Sequence, residues 1–110
     1  MSGFWMLQRA GLHRLDIFLT KALNRQEKWA EFRLETDREI GWQNNNSVML
    51  RPIEIRFYFT GDRLKNIAVE GVQVERQRQY GETVTTFNYY DSEDEVPGWI
   101  LDMVEEQAPV

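Results

Sequence analysis

The residues of this chain that are able to do chemistry are few and scattered. There is one histidine, His13, placed on the polar side of a stretch with helical periodicity. A lone surface imidazole has no positioned partner to make it a general base, so a structural or incidental role is the simpler reading. Ser2, Ser47 and Ser92 lie in no nucleophile-elbow context, and the glycine spacing fits neither a phosphate loop nor a dinucleotide fingerprint. With no cysteine in the chain, disulfides, zinc ribbons, iron–sulfur clusters and thiol catalysis are excluded. The run Asp91-Ser92-Glu93-Asp94-Glu95 has the charge for a hard cation but lacks the alternating ligands and central glycine of a calcium loop, and helix capping accounts for it more simply. The sequence therefore points to a non-enzymatic protein with no catalytic residues, no cofactor and no metal.

Two patterns point to binding. Arg76 and Arg78 share one face of a strand-like run and stand close to Tyr80, with Tyr89 and Tyr90 on the next run. Arginines interleaved with aromatics on an open sheet can stack on and neutralise single-stranded nucleic acid. Glu70, Glu75 and Glu82 lie in the same stretch, so a solvated strand face is favoured over a nucleic-acid site. The second pattern is four tryptophans, Trp5, Trp29, Trp42 and Trp99, in 110 residues. Trp and Tyr are favoured anchors at protein interfaces, and Trp5 near the N-terminus is the one a core explains least. The candidate protein-binding residues are thus Trp5, Arg76, Arg78, Tyr80, Tyr89 and Tyr90.

The elements that position these residues follow from periodicity. Phe4, Leu7, Gly11, Leu15, Phe18 and Ala22 recur at helical spacing, with Gly11 dividing a first turn from a main helix over 12–25. That face either packs on a sheet or also pairs with a second copy, which makes a homodimer through the N-terminal helix one expectation. Ala30, Phe32 and Leu34 alternate with charged residues, favouring strands over a helix in 29–42. From Val48 to Tyr90 three strand-like runs are separated by Thr60-Gly61-Asp62 and Tyr80-Gly81-Glu82. Ile53, Ile55, Phe57 and Phe59 share one face, and Pro52, which cannot donate to a ladder, is expected at the strand's start or at a sheet edge. Apolar parity changes between Val69 and Val72, which predicts a β-bulge near Glu70-Gly71. The apolar residues of 83–90 fall on both faces and leave its orientation open. Val96, Trp99, Ile100, Met103, Val104 and Gln107 form a helical stripe, with Asp94 as the expected N-cap and Pro97 in the first turn.

The fold expected is a single α+β domain over 1–110: an antiparallel four-stranded meander with an N-terminal helix and a C-terminal amphipathic helix packed on it. The net charge of -5 is concentrated at the C-terminus, where seven acids after residue 90 meet no Lys or Arg. Such a face is suited to steer a basic partner. No apolar run reaches the ~18 residues of a membrane span, and no secretory signal precedes the domain, so no membrane association and a cytoplasmic setting are expected.

The ending from Asp91-Ser92-Glu93-Asp94-Glu95-Val96-Pro97-Gly98-Trp99-Ile100 to Glu105-Glu106-Gln107-Ala108-Pro109 resembles that of small accessory proteins of actinobacteriophages and their hosts. Those end in an acidic-Val-Pro-Glu-Trp-Val pattern and a short acidic helix; Gly98 departs from the usual Glu. The resemblance implies an accessory protein, of a group largely without known function, that binds a host protein in the host cytoplasm. It carries over no catalytic residue.

Overall fold

The computed structural model describes residues 7–42, 48–73 and 85–110, with side chains described for 7–39, 50–72 and 85–110. It is an α+β fold in which helix α1 (His13–Asn24) leads into strands β1 (Trp29–Arg33), β2 (Ile40–Trp42), β3 (Val48–Thr60), β4 (Arg63–Gln73) and β5 (Thr85–Tyr90). A 3-10 turn at Glu93–Glu95 then leads to helix α2 (Gly98–Gln107). All neighbouring strands are antiparallel. β1 and β2 both pair with β3, end to end along the same side, so the sheet has four rows in meander order: β1 with β2, then β3, β4 and β5. The alternation of Trp29–Arg33 produces a half-buried strand, with Ala30 and Phe32 inward and Trp29, Glu31 and Arg33 outward.

Both helices cover one face of the sheet. Leu15, Phe18, Leu19 and Ala22 of α1 and Ile100, Leu101, Met103 and Val104 of α2 form one core with Ala30, Phe32, Leu50, Ile55, Phe57, Ile67 and Val69. The Phe18 ring meets Phe32 edge-on at 5.1 Å, and Phe32 stacks on Phe57 at 6.5 Å. Most of the apolar face of α1 that suggested pairing with a second copy is therefore occupied by the protein's own sheet; Ile17 stays 47% exposed.

Three local expectations are corrected. The extra residue that shifts the register lies level with Glu70-Gly71 but on the neighbouring strand. Pro52 pairs with Gly71 and Glu54 with Glu70, leaving Ile53 as the bulge in β3. β4 keeps its alternation from Asn66 to Val72, its own register shift falling earlier, at Lys65, while β3 turns over at Ile53, so that Leu50 and Pro52 join Ile55 and Phe57 on the buried side. Pro52 accordingly sits inside a central strand, not at a start or an edge. A bulge is where a residue without an N–H disturbs a ladder least, and here the adjoining row is also interrupted, between β1 and β2. The third correction concerns α2. Its N-cap is Pro97, and Asp94 belongs to the 3-10 turn before it. Val96 precedes a proline and is extended (φ -71°, ψ 135°), which separates the turn from the helix.

Candidate functional site

The α1–α2 side of the sheet is filled, which leaves the opposite face as the surface with side chains to spare. Strand alternation and register assign Trp29, Glu31 and Arg33 of β1, Arg51, Glu54, Arg56 and Tyr58 of β3, Arg63, Asn66, Ala68, Glu70 and Val72 of β4, and Thr85, Phe87 and Tyr89 of β5 to this helix-free face. No described element lies across it.

Its two ends differ. Near β1, a polar network holds the aromatics in place. The Trp29 indole N–H donates to Glu31 Oε1 at 3.0 Å, and Arg56 donates from Nη2 to Glu31 Oε2 at 3.1 Å and from Nη1 to the Tyr58 hydroxyl at 3.1 Å. Glu54 lies 3.6 Å from the same guanidinium. Arg56 also lies about 6 Å from the ring centres of Trp29 and Tyr58, close enough for a cation–π attraction with each. The network splits the two carboxyls. A hydrogen bond shared with Glu54 and further bonds from Trp29 and Arg56 hold Glu31 below the usual carboxylate range, whereas burial and the neighbouring Glu31 push Glu54 up. Arg56 is held charged, chiefly by its bonds to Tyr58 and Glu31.

At the β5 end the face is apolar. Phe87 and Tyr89 stack on each other with ring centres 6.4 Å apart, and they remain 40% and 62% exposed. Between the two ends lies Ala68, only 1% exposed although it faces away from the helices. Its small side chain makes the floor on which Arg56 and Tyr89, its partners on either side, are set.

Of the six residues singled out from the sequence, Tyr89 lies in this site. Tyr90, one position on, points to the helix side and packs against the core, as alternation along a strand requires. Trp5, Arg76, Arg78 and Tyr80 fall outside the described residues, and so does the turn expected at Tyr80-Gly81-Glu82. Sequence reasoning missed Phe87, and it counted Trp29 among four interface-type tryptophans without choosing it for the site. For Trp29 the signal was present, since it shares parity with Glu31 and Arg33. For Phe87 it was not, because Thr85–Tyr90 shows no polar side.

The acids of the C-terminal segment are partly engaged within the fold. Glu93 is fully buried and accepts the Gln8 N–H, and Asp102 pairs with Arg9. Both carboxylate oxygens of Glu105 are bonded to the first turn of α1. His13 is exposed at the start of α1. An open groove of about 500 Å³ beside β1 is lined by Phe18, Arg25, Glu27, Lys28 and Trp29, and an Arg25–Glu27 ion pair at 3.2 Å lies in its wall. Among the described residues no three His, Asp or Glu side chains converge as metal ligands, and no helix is long and apolar enough to cross a membrane.

Fold and face together define the class: an antiparallel sheet covered by helices on one side and presenting aromatics on the other. No protein-family model matches the chain, and no curated protein and no solved structure matches it significantly.

Proposed function

We propose that this chain is a non-enzymatic interaction protein that binds a protein partner through the helix-free face of its sheet. The observation that carries the reading is the Phe87–Tyr89 pair, stacked and exposed on β5, across Ala68 from the Trp29–Arg56–Tyr58 network. Aromatics and Arg are the side chains that supply most binding energy at protein interfaces, and a strand holds them with little entropy left to lose. The resemblance of the acidic Val-Pro-x-Trp ending to phage accessory proteins supports a bacterial host protein as the partner.

Nucleic acid is the less favoured occupant. The described part of the face sets Glu31, Glu54 and Glu70 against Arg33, Arg51, Arg56 and Arg63, so it carries no strong positive field; Arg56 is already paired with Glu31 and Glu54, and Arg51 lies 3.9 Å from Glu39. Phosphate binding draws on unpaired cations and weakens steeply with salt. The test is affinity capture from bacterial lysate with the wild type and with a Phe87→Ser/Tyr89→Ser variant of unchanged circular dichroism. The reading expects a protein retained by the wild type and lost from the variant. An identical retained set for both, or retention that nuclease treatment abolishes, overturns it.

A further inference from the structure

We propose, resting on the reading of the helix-free face as a protein-binding surface, that its β5 end takes an arginine side chain of the partner. The guanidinium lies on the Phe87 and Tyr89 rings and pairs with Glu70.

The chain already holds one guanidinium in this way. At the β1 end Arg56 lies 6.0 Å from the Trp29 ring centre and 5.9 Å from that of Tyr58. There it pairs with Glu31 at 3.1 Å and with Glu54 at 3.6 Å. Two aromatics and two carboxyls thus surround one cation. The β5 end repeats the aromatics and the carboxyls. Phe87 and Tyr89 are stacked and are 40% and 62% exposed. Glu70 is the register partner of Phe87 on one side and of Glu54 on the other. Asp91, exposed, follows directly on β5.

The two ends differ in the cation. Among the described residues the Glu70 carboxyl makes no hydrogen bond and no ion pair. Arg56 is committed to Glu31 and Tyr58. Arg51 stands two strands from β5 and pairs with Glu39 at 3.9 Å. Arg33 is three strands away, and Arg63 lies at the far turn, opposite Thr60. The aromatic pair is therefore flanked by acids and not by bases.

Charge complementarity then selects the occupant. Like charges directly opposite on neighbouring strands destabilise each other, as Glu54 and Glu70 do here. Burial and Glu31 push the Glu54 carboxyl up, and Glu70 adds to the push. A cation seated over Glu70 relieves that repulsion. Arginine fits better than lysine, because a planar guanidinium stacks on ring faces and meets a carboxylate with two parallel N–H bonds.

The test needs no knowledge of the natural partner. Peptides from a random display library are selected on the wild type and kept when a Phe87→Ser/Tyr89→Ser variant does not hold them. They are expected to carry an arginine whose replacement by citrulline, similar in shape but uncharged, weakens binding about three- to thirtyfold. Glu70→Gln, with unchanged circular dichroism, is expected to weaken the same peptides to a similar extent. In E70Q the citrulline replacement should then cost clearly less than in the wild type, since the two groups act as a pair. Peptides that need Phe87 and Tyr89, yet bind as tightly in the citrulline form and to E70Q, overturn the proposal and leave the face reading intact. A library yielding no peptide that depends on Phe87 and Tyr89 also overturns it, and the lysate capture then decides the face reading by itself.

Discussion

Glu105 of α2 caps α1 at Arg14. Its Oε2 accepts the Arg14 N–H at 2.7 Å, and its Oε1 accepts the Leu15 N–H at 3.0 Å. The residue at the N-cap of α1 is Leu12, which has no side-chain acceptor. Arg14 returns the contact, donating from Nη2 to the Ala108 carbonyl at 2.7 Å where α2 ends. Each helix thus satisfies orphan backbone groups of the other. Glu105→Ala is expected to cost about 1–2 kcal/mol in urea unfolding, the scale of a lost N-cap. Glu106→Ala, an exposed neighbour, should stay within about 0.5 kcal/mol of wild type. Equal effects of the two would show that the cap contributes nothing.

The other end of α1 closes in a Schellman motif with a glutamine where glycine is usual. Glu27 N–H bonds the Ala22 carbonyl at 3.1 Å and Gln26 N–H bonds the Leu23 carbonyl at 2.8 Å, with Gln26 at φ 61°. A left-handed backbone is costly for a residue with a Cβ. Gln26→Gly is therefore expected to stabilise the fold by about 0.5–1 kcal/mol. Gly11→Ala should do the reverse by a similar amount: its φ is +89°, and no atom lies within 4 Å of an added Cβ, so the strain would be purely in the backbone.

Glu54 sets the direction of one pH effect. Its folded-state affinity for a proton is raised by burial and by Glu31, so the folded chain binds that proton more tightly than the unfolded chain. Stability from this group rises as pH falls through its raised pKa, and the penalty of holding it ionised is present at neutral pH. Glu31, held low, acts oppositely: its contribution is present above the unfolded carboxylate range and is lost as pH falls through its folded pKa. Glu54→Gln is expected to raise stability at pH 7 by less than about 1 kcal/mol, the scale of partly exposed charge pairs. It should also flatten the thermal-melt profile in mild acid. A lower melting temperature at pH 7 would contradict this account of the network.

Much of the fold was legible because the strongest patterns were local. The alternation through Ile55 and Phe57, the Gly61 turn and the α2 stripe each lie within a few residues and formed, the stripe from Trp99 onward with Val96 left outside the helix and Leu101 added to the buried side. What the sequence hid was cooperative across the chain. The bulge at Ile53 cannot be placed on β3 from β4's parity alone, since a register shift can be absorbed by either strand of a pair. The acidic ending looked like a free surface, yet Glu93, Asp102 and Glu105 are partners of Gln8, Arg9 and the first turn of α1, roughly 90 residues away. The bare Leu12 cap was the one local hint that an acceptor had to come from elsewhere. In the candidate site, Tyr89 was found and Phe87 was missed because only the β4–β5 register shows which side of Thr85–Tyr90 is uncovered.

The central claim, that the functional surface is the helix-free face, is tested most directly by site-specific photo-crosslinking in bacterial cells. A photoreactive phenylalanine analogue would be placed singly at Phe87, at Tyr89, and on the helix side at Ile17, which is 47% exposed. The account predicts a discrete adduct with another protein from positions 87 and 89 and none from 17. Adducts from position 17 with none from 87 or 89 would contradict it.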